Sequence, residues 1–243
     1  MSKNKKSKVM HTLNDLASHK GERPAGRVRQ KNEQTIIEAA RLEFAEKGYE
    51  GATMNAIARR ASLPRPNVHY YFESKLHLYE DILSGILDLW DDALNDLDAS
   101  EAPAQSLRRY IERKVAFSRD HPLESKIFAK EVLSGAPRLE TYFQRGYHSW
   151  FERSLGVFRE WIAKGAMDPV DPAHLMFFIW STTQHYADFE TQVRAGLGVK
   201  SLGDEDYERA TDTLVKIILN GIGARDADSP KSAAVADSVR SVH

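Results

Sequence analysis

TMNAIARRASLPRPNVHYYFESKLHL, running from Thr53 to Leu78, is the stretch that decides the fold. Its first part places Met54, Ile57, Ala58 and Ala61 at i, i+3, i+4 and i+7, which is one face of a helix. Thr53 stands where an N-cap belongs, with a hydroxyl suited to accept a bond from an orphan amide. Ser62-Leu63-Pro64 interrupts the pattern, and a second short segment ends in His69-Tyr70-Tyr71-Phe72. Two short helices joined by a tight turn form a helix-turn-helix, whose second helix enters the DNA major groove.

Upstream, Ile36, Ile37, Ala40 and Phe44 recur at helical spacing, which predicts a helix from Val28 to about Lys47 with Gly48 as its C′ residue. Residues 1–28 are polar, with Gly21, Pro24 and Gly26 near their end, and read as a disordered basic arm. Residues 1–31 carry nine Lys/Arg against Asp15 and Glu22, a balance of +7; the whole chain is −1, so the remainder is −8. A basic arm on an acidic body suits a polyanion at one end. By itself such an arm is equally a solubilising tail.

Downstream, a longer helix is expected from Ser74, whose hydroxyl suits an N-cap, with Leu76, Leu83, Leu87, Trp90 and Leu94 marking an apolar stripe to about Leu97. Helical patterns then fill 104–119, 122–133, 138–164, 172–195 and 204–221, separated by Pro and Gly breaks. No stretch alternates as a strand, so the fold class is all-α. Residues 222–243 are small and polar and are expected to form a disordered tail. The absence of cysteine excludes disulfides and thiolate zinc sites. No run of about 18 apolar residues exists, and the basic N-terminus is not followed by an apolar signal core. No membrane partner is expected, and a cytoplasmic location fits.

The segment ASLPRPNVHYYFESKLHLY resembles the DNA-binding domain of TetR-family transcription regulators. The matching residues are Thr53, Ile57, Ala58, Ala61, Val68, Tyr70, Phe72, Ser74, Lys75 and Leu78, with Phe44, Gly48 and Tyr49 ahead of them. Ser62 replaces the family's usual Gly, Pro64 its capping Ser, His69 a frequent Tyr, and Leu76 the Glu after Lys75. The resemblance implies a three-helix DNA-binding domain over 29–73. In it Thr53 would bond a phosphate. Arg65 and Asn67 would face base edges, chemistry that suits guanine and adenine respectively. His69 and Tyr70 would reach bases or backbone. Lys75, at a helix start, would meet a phosphate. Arg27, Arg29 and Lys31 would extend the contact into the minor groove or along the backbone. Taken singly, each of these side chains reads as solvated surface.

A helix-turn-helix alone would leave most of the remaining helices unexplained. In the family that region binds a small molecule and its last two helices form a four-helix dimer interface, so residues 74–221 are expected to be a ligand-binding and dimerisation domain. The stretch HLMFFIWSTTQHYADF, His174 to Phe189, is apolar nearly all round, as suits a helix covered on two sides. Leu214, Val215, Ile217, Ile218 and Leu219 give the final segment the same character. The central helix of a monomeric bundle would read similarly. The Ile179–Phe189 segment, with Trp90, is moreover similar to a pyrimidine-responsive branch of the TetR family. That likeness implies a pocket of Trp90, Trp180 and Gln184 for uracil or thymine. Trp180 and Gln184, four apart, share a helix face. An indole stacks on a flat ring, and a Gln amide complements an N–H/C=O edge. Core packing explains the same residues without a ligand. His174, His185 and Asp188 fall on one stripe, but no metal or cofactor is expected, and no catalytic motif is legible.

The expected protein is therefore a homodimeric repressor, not an enzyme. It would bind a palindromic operator in double-stranded DNA and be released by a small-molecule effector. An architectural DNA binder without effector, or a helical-bundle enzyme, are the alternatives.

Overall fold

A computed structural model describes residues 26–94 and 97–224. The expected arm up to residue 25, the end of the stripe at 95–96 and the tail from 225 lie outside the described residues. Twelve α-helical elements follow one another: α1 Arg27–Gly51, α2 Met54–Arg60, α3 Arg65–Tyr71, α4 Lys75–Leu94, α5 Pro103–Asp120, α6 Pro122–Leu133, α7 Glu140–Tyr142, α8 His148–Ser154, α9 Gly156–Ala163, α10 Pro172–Asp188, α11 Glu190–Leu197 and α12 Asp204–Gly221. A π-helical turn, Phe143–Tyr147, joins α7 to α8. The described residues contain no strand, so the fold is all-α. None of their helices is long and apolar enough to cross a membrane.

Local chemistry sets the helix ends. The Thr53 hydroxyl accepts from the Ala56 amide at 3.1 Å, and the Ser74 hydroxyl from the His77 amide at 3.1 Å. Asp171 caps α10 by accepting from Ala173 and His174 at 2.9 and 3.0 Å. Gly48 adopts φ 67° and ψ 178°, a positive-φ conformation that favours glycine but is not the left-handed helical cap expected of a C′ residue, and one more helical turn follows it. Pro64 is the residue just before α3, and Pro66 falls in the first turn, where its missing N–H costs nothing.

Three expectations need adjusting. The stretch 138–164 is not one helix: Gly146, at φ 131°, opens it into the π-helical turn, and Leu155 separates α8 from α9. The stretch 172–195 breaks at Phe189 (φ −113°, ψ 27°). Ile222, assigned by sequence to the tail, is the C-cap of α12. That side chain is 5% exposed and its carbonyl accepts from the Asp168 amide at 2.8 Å.

Two apolar cores result. The first joins Ile36, Ala40 and Phe44 of α1, Ile57 of α2, Val68 of α3 and Leu78, Tyr79, Leu83 and Ile86 of α4 to Ile127 of α6 and Leu139. The second gathers Leu107, Tyr110 and Ile111 of α5, Phe158 and Trp161 of α9, Met176 and Ile179 of α10, and Val215 and Ile218 of α12. Each fully buried side chain of this kind contributes about 1.5–3 kcal/mol. The helix-turn-helix therefore has no core of its own and shares one with α4 and α6.

Polar contacts tighten that junction. The Lys130 ammonium on α6 donates to the Ala45 and Glu46 carbonyls at 2.6 and 2.9 Å. Arg41 pairs with the buried Glu124 at 3.2 Å. Arg138 pairs with Glu50 at 2.7 Å, and its guanidinium lies 3.6 Å from the Tyr49 ring centroid. The Tyr79 hydroxyl donates to buried Glu131 at 3.1 Å; burial and then the Glu131 charge push its pKa up.

The turn between α2 and α3 places Ser62 at φ 53°. A side chain there is strained by about 1–2 kcal/mol, partly offset by the larger unfolded-state entropy of glycine. Ser62→Gly is expected to stabilise the fold by about 0.5–1 kcal/mol, read as a higher denaturant midpoint at unchanged m-value.

Candidate nucleic-acid interface and effector site

Helix α3 buries only Val68 and leaves Arg65, Pro66, Asn67 and Tyr70 exposed. One anchor and a proline-fixed start hold a two-turn helix whose outer face is free for a partner. Arg65 Nε donates to His69 Nε2 at 3.2 Å, so the imidazole orients the guanidinium rather than competing with it. Thr53, Asn55, Ala58, Arg59, Leu63 and Arg65 line an open concavity beside α3. Asn55 and Arg59 were not singled out by sequence, although both lie on the polar face of α2, opposite Met54, Ile57 and Ala58.

The N-terminal end of α1 joins this face. Asn32 donates to the Tyr71 hydroxyl at 3.3 Å, and the Arg29 guanidinium lies 5.9 Å from the Tyr70 ring centroid. Lys31 is exposed on the same helix. Arg27 begins α1, and its side chain lies outside the described residues.

Lys75 departs from its expected role. It begins α4, but its ammonium donates to the Tyr49 and Ala52 carbonyls at 2.8 and 3.1 Å and lies 4.2 Å from the Tyr49 ring centroid. Two of its three donors are thus spent on the end of α1. Lys75 is a brace between α1 and α4, half-buried rather than free.

The expected effector residues divide between the two cores. Trp180 Nε1 donates to the Tyr110 hydroxyl at 2.7 Å, and its ring lies 5.7 and 5.8 Å from Phe151 and Phe177. Gln184, one turn further along α10, is half-buried. Trp90 packs on the first core, edge-on to Phe128 at 4.2 Å and 6.0 Å from Phe117. The two indoles do not form one sandwich.

The structure adds four polar side chains near these groups, Lys114, Asp188, Ser125 and Ser118. Lys114 of α5 is 4% exposed, and its Nζ lies 4.9 Å from the Trp90 ring centroid. Burial pushes its pKa down to about 8, against the pull of Asp188. Asp188 of α10 accepts from Ser125 Oγ of α6 at 2.5 Å, and burial pushes its carboxyl up. The Ser118 hydroxyl donates to the Thr183 carbonyl at 2.9 Å and fixes α5 against α10. A sequence signal for Lys114 existed: it interrupts the stripe Leu107, Tyr110, Ile111, Val115.

The histidine stripe does not converge. His174 sits at the surface 3.2 Å from Asp171, and His185 stacks on Phe189 with centroids 4.9 Å apart. No group of three potential metal ligands occurs among the described residues. On the outer side of α10, Phe177 and Phe178 are each 47% exposed, and Ile217 of α12 is 55% exposed.

Known proteins match the chain over nearly all of this architecture. A family model described as bacterial regulatory proteins, tetR family, matches residues 36–82. A second, described as YcdC-like protein, C-terminal region, matches residues 83–225. The HTH-type transcriptional regulator RutR of Escherichia coli (strain K12) is 35% identical over 190 residues, 78% of this chain and 90% of that protein. The HTH-type transcriptional activator FasR of Mycolicibacterium smegmatis is 27% identical over 50% of this chain and 65% of its own length. Among solved structures, the ketosteroid transcriptional regulator KstR2 of Mycobacterium tuberculosis superposes with a TM-score of 0.65 at 22% identity, over 84% of this chain and all of that one (100%). The transcriptional regulator SCO4942 of Streptomyces coelicolor gives 0.61 at 21% identity, over 80% of this chain and 99% of that one. These two structures speak to the fold.

Replacing Lys75 separates bracing from phosphate contact. Lys75→Met is expected to cost about 1–3 kcal/mol of stability through two lost charged hydrogen bonds. It should weaken operator binding without altering the dependence of log K on log salt. A slope smaller by about 1 would instead mark a phosphate contact.

Proposed function

The chain belongs to the TetR family of bacterial regulatory proteins, and we propose that it is a homodimeric repressor released from a palindromic operator by a pyrimidine or closely related nitrogen heterocycle. It is a DNA-binding transcription regulator rather than an enzyme. In the proposed complex two copies of α3 occupy successive major grooves, about 34–36 Å apart. Arg65 and Asn67 read base edges, with Tyr70 and His69 beside them. Thr53, the N-terminal end of α4, Arg27, Arg29 and Lys31 serve the backbone and minor groove. The exposed Phe177 and Phe178 of α10 and Ile217 of α12 supply the apolar face for a second copy. The regulator works in the cytoplasm, with its DNA.

The single observation that carries the coupling is the double engagement of α6. On one side Ser125 holds Asp188 and Phe128 packs against Trp90. On the other, Lys130 and Glu124 grip α1 of the DNA-reading head. An effector that seats against Trp90 and α10 acts on the element that sets the head's position. If it favours one placement of α6 over the other, it changes operator occupancy by its differential affinity. Gln184, with donor and acceptor side by side, and Trp180 one turn before it favour a flat heterocycle. The likeness of the Ile179–Phe189 segment to a pyrimidine-responsive branch points the same way.

The experiment is operator anisotropy on the full-length protein. Adding uracil or thymine is expected to raise the apparent Kd for the operator at least tenfold; no change in Kd, with no heat in calorimetry, would remove the pyrimidine reading. Arg65→Ala is expected to lose about 1–3 kcal/mol of discrimination at one base pair per half-site. In Lys130→Met, uracil binding should persist while its effect on operator affinity shrinks several-fold.

A further inference from the structure

Four charged side chains are buried among the described residues: Glu43, Lys114, Glu124 and Glu131. The three carboxylates are matched. Glu43 lies 3.1 Å from Lys47 and 3.3 Å from Arg60, Glu124 lies 3.2 Å from Arg41, and Glu131 accepts from Tyr79 at 3.1 Å and from the Arg138 amide at 2.8 Å. Lys114 is the exception. Among the described residues its ammonium has no hydrogen-bond acceptor and no carboxylate within 4.0 Å, only the ring faces of Trp90 and Phe117 at 4.9 and 5.9 Å. Of the partly buried lysines, Lys75 and Lys130 each hold two carbonyls, and Lys126 pairs with Glu190 at 2.7 Å. Beside it, Trp90 Nε1 is buried and without a partner. Interiors rarely leave such groups unmet, and a charged one least of all.

The surroundings define what is missing. An ammonium offers three donors and an indole one, and neither accepts, so the absent group supplies acceptor oxygen. A charge-assisted bond favours an oxygen carrying substantial negative charge. Aromatic edges from Trp90, Phe117 and Phe128 suit a flat molecule. Asp188 has one oxygen engaged by Ser125 and keeps acceptor capacity for a ring N–H.

We propose that Lys114 and the Trp90 indole N–H form the donor pair of the effector site, and that the effector is a planar heterocycle whose exocyclic oxygen, a ring carbonyl or a carboxylate, completes them. The assignment rests on the reading above that the helical body binds a small-molecule effector, and it moves the polar anchor from α10 to the junction of α4 and α5.

The test uses full-length wild type, Lys114→Met and Trp90→Phe, titrated calorimetrically with uracil and with uracil-6-carboxylate, together with thermal melts of the ligand-free proteins. Binding of uracil identifies a carbonyl as the acceptor, and binding of the carboxylate alone an anionic oxygen. Whichever probe binds wild type is expected to bind both variants at least tenfold more weakly. Ligand-free Lys114→Met is expected to melt above wild type, because a charge on a 4% exposed side chain without a carboxylate or carbonyl partner has been removed. Equal affinity for wild type and Lys114→Met, or a Lys114→Met melting point below wild type, overturns the proposal. If neither probe binds wild type, the pyrimidine reading fails by itself. The donor pair then stands if Lys114→Met melts higher, and falls if the melting point is unchanged or lower.

Discussion

A helix cannot pair its last carbonyls with its own amides, and the end of α1 meets that constraint with cations from two other helices. Lys130 of α6 takes the Ala45 and Glu46 carbonyls, and Lys75 of α4 takes those of Tyr49 and Ala52. The positive-φ turn at Gly48 divides the two sets. Positive charge at this end also opposes the negative pole of the helix dipole. The consequence is mechanical: the helix that carries the DNA-reading head is tied by its terminus to the body that would sense the ligand. Arg138, paired with Glu50 and stacked on Tyr49, adds a third cation to the same end.

The apolar packing follows the same plan. One core runs from α1, α2 and α3 through α4 to Ile127 of α6, without a seam where the head ends. A displacement of α6 is therefore felt by Phe44 and Ile36 through close-packed neighbours, because packed interiors deform little locally. The second core, around Trp161, Phe158 and Met176, holds α5, α9, α10 and α12 as a separate frame. Trp90 and Lys114 lie where the two meet. A ligand bound at the proposed site would touch both cores at once, which neither core could arrange alone.

Much of this was legible in the sequence, and the failures share a cause. Thr53 and Ser74 as caps, Gly48 as a positive-φ break and the all-helical pattern are local facts, decided within a few residues. The bracing contacts of Lys75 were not legible because the sequence shows that it starts a helix but not that the end of α1 lies beside it. Lys114 passed unremarked for the same reason: a lysine on an apolar stripe is visible, but its lack of a partner is a tertiary property. Trp90 and Trp180 were read as the walls of one pocket, because the sequence could not assign them to different cores. The breaks at Gly146 and Phe189 escaped notice because apolar periodicity continues through both.

Helix α3 touches the interior through the buried Val68 and the half-buried Tyr71, while Pro64 and Pro66 fix how it begins. Its outward residues are thus nearly exempt from the demands of folding. A lineage carrying this scaffold can change the exposed Arg65, Asn67 or Tyr70, the proposed readers of DNA, without disturbing the core. The same sensor can in this way be reassigned to new genes, its chemical question unchanged and its address altered by one or two substitutions.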